Sequence, residues 1–184
     1  MDTDPAARLV VISGCSGGGK SALIAELTRR GHAIVEEPGC RIIDDDLARG
    51  GAAPPWIDLA AFAQRAIVVA LQCREHAARH SGWVFFDRSL VDAAVALDDV
   101  SGERHAEPLC HAHCYHRGVF LTPSWPEIFE NDAHRRHDMS AAVANMTACA
   151  TPIRAWATTS CLFRRYPSRH APTSSSITRG PGRR

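Results

Sequence analysis

Glycine is concentrated in one short stretch near the start of the chain, together with a lysine and a serine. The stretch consists of Gly14, Cys15, Ser16, Gly17, Gly18, Gly19, Lys20 and Ser21, which fits the P-loop spacing G-x-x-x-x-G-K-[ST]. Glycines let backbone N–H groups turn inward around phosphate oxygens, in conformations that a side chain would block. Lys20, the only lysine of the chain, is expected to reach the β- and γ-phosphates, and Ser21 to offer its hydroxyl to Mg²⁺.

The surroundings of this stretch distinguish a phosphate-binding loop from a chance run of glycines. An apolar run over 8–13 precedes it, and an amphipathic segment over 20–30 follows it. A helix beginning at Lys20 would add its N-terminal partial positive charge to the site. This context favours the binding of a nucleoside triphosphate.

A second candidate is the aspartate that ends another apolar run. Residues 83–87 read WVFFD, so Asp87 would lie at the carboxyl end of a buried strand, where ligands bind in open α/β sheets. There it could hold Mg²⁺ directly or through water. The alternative is that Asp87 caps a helix over 89–97.

Two further pairs of charged residues could take part in phosphoryl transfer. Glu36 ends the predicted strand over 32–36 and Glu37 follows it; we prefer Glu37 as a base that accepts a proton from an attacking hydroxyl. Both acids could instead be solvated residues before a turn. Arg135 and Arg136 could close over the phosphates and stabilise transition-state charge, or could lie on an exposed helix face.

Short apolar runs alternate with helical segments, and these elements must position the candidates. We predict strands over 8–13, 32–36, 83–86 and 118–122, and helices over 20–30, 41–49, 58–80, 89–97, 103–115 and 127–150. Asp58 is expected to cap the long helix, and Gly31 to end the first one. The alternation predicts an α/β fold in which helices flank a parallel sheet.

The composition is that of an ordinary globular protein. The chain has 184 residues, 45% hydrophobic and 22% charged, which predicts about one domain. No apolar run approaches the roughly 18 residues of a membrane-spanning helix, and the acidic N-terminus is unlike a secretory signal. Seven cysteines without regular spacing indicate reduced thiols and a cytoplasmic protein. The seven arginines after residue 138 are scattered, so they give no specific nucleic-acid signal.

Four segments together resemble a known family. They are ISGCSGGGKSALIAELTRRGHAIVEEPGCRII, PPWIDLAAFAQ, VFFDRSLVDA and YHRGVFLTPSWPEIFENDAHRRHD. They are similar to predicted bacterial AAA-type ATPases, which are related to the nicotinamide riboside kinase domain of bifunctional NAD regulators and, more distantly, to thymidylate and deoxynucleoside kinases. The resemblance covers roughly residues 8–145.

This resemblance implies a kinase-like P-loop fold with a five-stranded sheet, Mg-ATP binding, and transfer of the γ-phosphoryl group to an unidentified small acceptor. It also implies that Glu37 is the acid before the proline-glycine turn, that Arg88 beside Asp87 meets the acceptor, and that Arg135 and Arg136 are lid arginines. Two alternatives stay open: a nucleotide-dependent switch or binding module without a small acceptor, and an inactive remnant.

The end of the chain departs from the family pattern. We expect a P-loop domain over 1–145 and a disordered, basic tail over 146–184, which is rich in Thr, Ser, Arg and Pro. A family-like chain would continue with a helix and a fifth strand of the form GYxVVxLP. Read one nucleotide out of frame, Trp156-Ala157 must encode Gly, and GC-rich codons give GYDIVPLP. We hypothesise that the frame slips near 143–145, and that the last strand is missing or altered.

Overall fold

Parallel strands form one sheet that carries the helices of the domain. The computed structural model describes residues 4–14, 19–48, 58–122 and 159–162. Its strands are β1 (Leu9–Gly14), β2 (Ala33–Val35), β3 (Val84–Asp87), β4 (Gly118–Thr122) and β5 (Thr159–Leu162). Their order is β2-β3-β1-β4-β5, and every adjacent pair is parallel. The central strand is therefore β1, and all strands end at the same edge of the sheet.

Helices connect the strands, and capping residues mark the start of one helix and the end of another. They are a 3-10 helix (Pro5–Arg8), α1 (Lys20–Arg29), α2 (Pro38–Ala48), α3 (Leu59–Ala77), α4 (Leu90–Ser101) and α5 (Ala106–Ala112). Asp58 caps α3, because its carboxylate accepts the N–H of Ala61 at 2.9 Å. Gly31, with φ +80°, follows the C-cap of α1, where the left-handed conformation favours glycine. Both predicted helix ends are confirmed.

The predicted elements are found in the structure with shifts at their ends. Helix α2 begins at Pro38 rather than at residue 41, since proline fits the first turn of a helix. The predicted helix over 103–115 is shorter, because α5 spans only Ala106–Ala112. The helix predicted over 127–150 lies outside the described residues.

Both faces of the central strand are covered. All six residues of β1 are buried, as expected for a parallel sheet packed on two sides. On one face, Leu9 and Phe86 pack with Ala77 of α3 and with Tyr115. Beyond this layer, α3, α4 and α5 share a second apolar cluster that includes the fully buried Leu90. The packing holds the start of α4 against the carboxyl ends of β1 and β3.

The expectation that the last strand is missing is wrong. β5 pairs with β4 over four residues: Thr159 lies opposite Gly118, and Leu162 lies opposite Leu121. Residues 159–162 of the expected tail therefore belong to the sheet. The strand reads TSCL and lies within positions 156–163, where the shifted reading places GYDIVPLP. A strand thus occupies the last position of the sheet, and its alteration from the family pattern stays a prediction. The division into 1–145 and 146–184 and the frame slip stay predictions.

Candidate functional site

Gly14 ends β1 and passes unusually close to the neighbouring strand. Its φ is +125°, and a Cβ atom there would lie 2.2 Å from the backbone oxygen of Thr122. Only glycine fits such a position without displacing β4. The first glycine of the predicted P-loop is therefore required by the backbone. Cys15, Ser16, Gly17 and Gly18, which continue the loop, lie outside the described residues.

The loop leads directly into α1. Gly19 is the N-cap of this helix and has φ +83°. Lys20 is its first residue and is only 8% exposed, whereas Ser21 beside it is exposed. The helix thus begins at the lysine of the motif, as the sequence predicted.

Lys20 belongs to a cluster of charged side chains. Burial lowers the pKa of Lys20, and Arg88 acts in the same direction, while Asp87, Glu37 and Asp92 oppose them. These groups come from the P-loop, the turn after β2, the end of β3 and the first turn of α4. We call Lys20, Glu37, Asp87, Arg88 and Asp92 the charged cluster.

Asp87 lies at the end of β3, opposite Ile12 of β1. Burial raises the pKa of Asp87, and Lys20 acts most strongly in the opposite direction. Its Oδ1 atom is buried and accepts no hydrogen bond from the described residues. The alternative role of Asp87 as a helix cap is wrong, because the N-cap of α4 is Ser89. Asp87 therefore presents a carboxylate oxygen that the described part of the fold does not use.

Arg88 and Glu37 form an ion pair across two loops. Nε of Arg88 lies 3.1 Å from Oε1 of Glu37, and the two side chains are 22% and 30% exposed. Arg88 has φ +61°, a left-handed conformation that costs a non-glycine residue about 1–2 kcal/mol. Its backbone N–H donates to the oxygen of Ile12 at 2.9 Å, which fixes the turn out of β3. Of the two candidate acids, the structure brings Glu37 to the cluster and leaves Glu36 exposed.

Asp92 was not predicted from the sequence. It is 6% exposed and forms a capping box with Ser89 at the start of α4. The spacing Ser-x-x-Asp over 89–92 could have indicated this box. Its proximity to Lys20 depends on the tertiary fold, and no local pattern marks it. Arg135 and Arg136, the predicted lid arginines, lie outside the described residues.

Comparison with known proteins identifies the family of this chain. A family model described as an AAA domain matches residues 9–164. The chain belongs to this AAA-domain family. The match begins at the first residue of β1 and ends two residues after β5, so it includes the whole observed sheet.

One curated relative of this AAA-domain protein is a nucleotide-binding protein of Granulibacter bethesdensis. The two are 42% identical over 50 residues, which make up 27% of this chain and 15% of that protein. Family and relative together support nucleotide binding by a P-loop domain. Among the described residues, no helix is long and apolar enough to cross a membrane.

Proposed function

We propose that this AAA-domain protein binds Mg-ATP and transfers the γ-phosphoryl group to a hydroxyl of a small molecule in the cytoplasm. The observation that carries the proposal is the charged cluster. It gathers the P-loop lysine, a strand-end aspartate, an arginine and a separate glutamate at one edge of the sheet. Phosphoryl transfer depends on this kind of positioning and electrostatic stabilisation rather than on covalent chemistry.

Lys20 would bind the phosphates. A buried ammonium group is stabilised when an anion approaches it, and the pKa of Lys20 shows that burial disfavours its charge in the ligand-free protein. The N–H groups at the start of α1 would add to this attraction. Gly14 and Gly19 allow the backbone to bend around the phosphates.

Asp87 and Ser21 fit a magnesium ion. The buried, unbonded Oδ1 of Asp87 is a hard oxygen donor, and Ser21, an exposed residue in the first turn of α1, would supply a hydroxyl. The described residues contain no group of three or more His, Cys, Asp or Glu that could hold a metal by themselves. Mg²⁺ is commonly held by one or two carboxylates together with substrate phosphates and water. When bound, the ion would neutralise phosphate charge.

Glu37 and Arg88 would act on the acceptor. Glu37 is the candidate base for the attacking hydroxyl, and its ion pair with Arg88 holds the carboxylate beside the charged cluster. Arg88, paired with Glu37, would stabilise the negative charge that develops during transfer. We extend the proposal to Arg135 and Arg136 as arginines that close over the phosphates.

The test is ADP release by the full chain with Mg-ATP, measured with and without fractionated metabolite pools. We expect a pool that contains the acceptor to raise ADP release, and Lys20→Ala to abolish the rise. If the chain binds or hydrolyses ATP and no metabolite pool changes the rate of ADP release, phosphoryl transfer is refuted. A nucleotide-dependent switch would then be the remaining function. Failure of Mg-ATP to stabilise the chain against heat would indicate an inactive remnant, because a folded site gains stability from its ligand.

A further inference from the structure

The carboxylate of Asp92 joins two segments that are distant in the sequence. Its Oδ2 accepts hydrogen bonds from the backbone N–H and the hydroxyl of Ser89, at 2.8 and 3.0 Å. Its Oδ1 accepts a hydrogen bond from the hydroxyl of Ser13, 79 positions away. A capping box requires only the bond to the N–H of Ser89. The bond to Ser13 therefore serves something other than the helix end.

Ser13 is the residue directly before the P-loop. It is 1% exposed and precedes Gly14, the first glycine of the motif. The hydroxyl of Thr122 donates to the carbonyl oxygen of Ser13 at 3.3 Å. Because β4 holds its carbonyl and Asp92 holds its hydroxyl, Ser13 fixes the point from which the P-loop leaves the sheet.

Ser89 is at the other end of this connection. It is 2% exposed and directly follows Asp87 and Arg88. Arg88 occupies the left-handed conformation that turns the chain from β3 toward α4. The two bonds from Ser89 to Asp92 anchor the end of that turn. One buried carboxylate thus contacts the residues that flank both halves of the candidate site.

We propose that Asp92 is a positioning residue that, through Ser13 and Ser89, fixes the separation between the P-loop and the Asp87–Arg88 segment. The inference rests on the proposed function, since the separation matters only if both segments contact the same Mg-ATP. Removal of a group that orients metal ligands typically costs about 10- to 100-fold in metal affinity or activity, and we expect a loss of this order here because Asp87 is a proposed magnesium ligand. A helix cap alone would change stability and leave binding intact.

The test measures the dissociation constant of a fluorescent ATP analogue with Mg²⁺ on the full chain. Ser13→Ala removes only the bond between Ser13 and Asp92 and keeps the capping box, while Asp92→Ala removes the carboxylate and all its bonds. We expect each to weaken binding about 10- to 100-fold. We also expect the double variant to bind no more weakly than Asp92→Ala, because both changes break the bond between Ser13 and residue 92.

Asp98→Ala is the matched control on the same helix. Asp98 accepts the N–H of His105 at 2.6 Å and caps the start of α5, so its loss should lower stability and leave binding unchanged. Binding by Ser13→Ala equal to wild type would overturn the inference, and so would additive losses in the double variant. If Asp92→Ala does not fold, the binding measured for Ser13→Ala decides. A wild-type chain that does not bind the analogue would instead refute the proposed function.

Discussion

Replacing Lys20 by methionine should separate ligand binding from folding. Methionine keeps most of the side-chain volume and removes the charge. The pKa of Lys20 is lowered, first by burial and then by Arg88, despite three nearby carboxylates. The folded chain therefore binds this proton less well than the unfolded chain does, and the resulting cost is fully present below the folded pKa. We expect Lys20→Met to be more stable than wild type at pH 7 without ligand.

The same change should remove most of the stabilisation by nucleotide. At a ligand concentration 100 times the dissociation constant, binding adds about 2.7 kcal/mol, or roughly 5–11 °C in Tm for a domain of this length. A hydrogen bond to a charged group contributes about 1.5–3 kcal/mol, so its loss weakens binding roughly 10- to 100-fold. The stabilisation that remains is then about 0.4–1.4 kcal/mol.

Thermal unfolding with and without Mg-ATP measures both effects. Arg29→Met is the matched control, because Arg29 lies on the same helix and is 71% exposed in its ion pair with Glu26. We expect the control to keep the full ligand-induced shift. An undiminished shift in Lys20→Met would show that the phosphates bind elsewhere. A less stable ligand-free variant would show that the carboxylates, and not burial, dominate the environment of Lys20.

Three further changes test the neighbouring residues and the end of the chain. Asp87→Asn should stabilise the ligand-free chain at pH 7, because burial raises the pKa of Asp87 and the cost of its charge disappears only as pH falls. Urea unfolding measures this change in stability. Titration with Mg²⁺ should also show that ATP binding by the variant depends less on the ion. Gly14→Ala should lower the free energy of unfolding by about 2–5 kcal/mol, because its Cβ would lie 2.2 Å from the oxygen of Thr122. Gly102 also has a positive φ, but its Cβ would have nothing within 4 Å. The control Gly102→Ala should therefore lower stability by only about 1 kcal/mol in the same measurement. The nucleotide sequence of codons 138–184 should be open in the shifted frame and encode GYDIVPLP; a closed frame would make β5 native as it stands.

The sheet and most helices could be predicted because local patterns determine them. Asp58 and Gly31 mark helix ends by rules that involve only neighbouring residues. β5 was not predicted, because the run around Thr159–Leu162 is short and lies in a polar segment. Pairing with β4 supplies the hydrogen bonds that make it a strand, and such tertiary effects commonly override weak local preference.

The candidate site could be predicted only where a residue follows a recognisable strand or motif. Lys20 and Asp87 satisfy that condition, and the structure brings both to one cluster. Asp92 does not, since its bond to Ser13 spans 79 positions. The left-handed conformation of Arg88 also has no sequence signal, because arginine seldom adopts it. Both features arise from the packing of α4 against the ends of β1 and β3.

The lowered pKa of Lys20 also predicts that the protein takes up a proton when it binds nucleotide at alkaline pH. Phosphate oxygens beside the ammonium group favour its charged form, so ATP should raise the pKa of Lys20 from its lowered value. As pH rises through that lowered pKa, the free chain loses the proton and must take it up again when ATP binds. The affinity for ATP should therefore begin to fall at a lower pH than the one at which an ordinary lysine titrates. Calorimetry of ATP binding in buffers of different ionisation enthalpy measures this uptake at alkaline pH. We expect the uptake in wild type and in Arg29→Met, and its loss in Lys20→Met. Equal enthalpies in all buffers for wild type would mean that the ammonium of Lys20 does not face the phosphates.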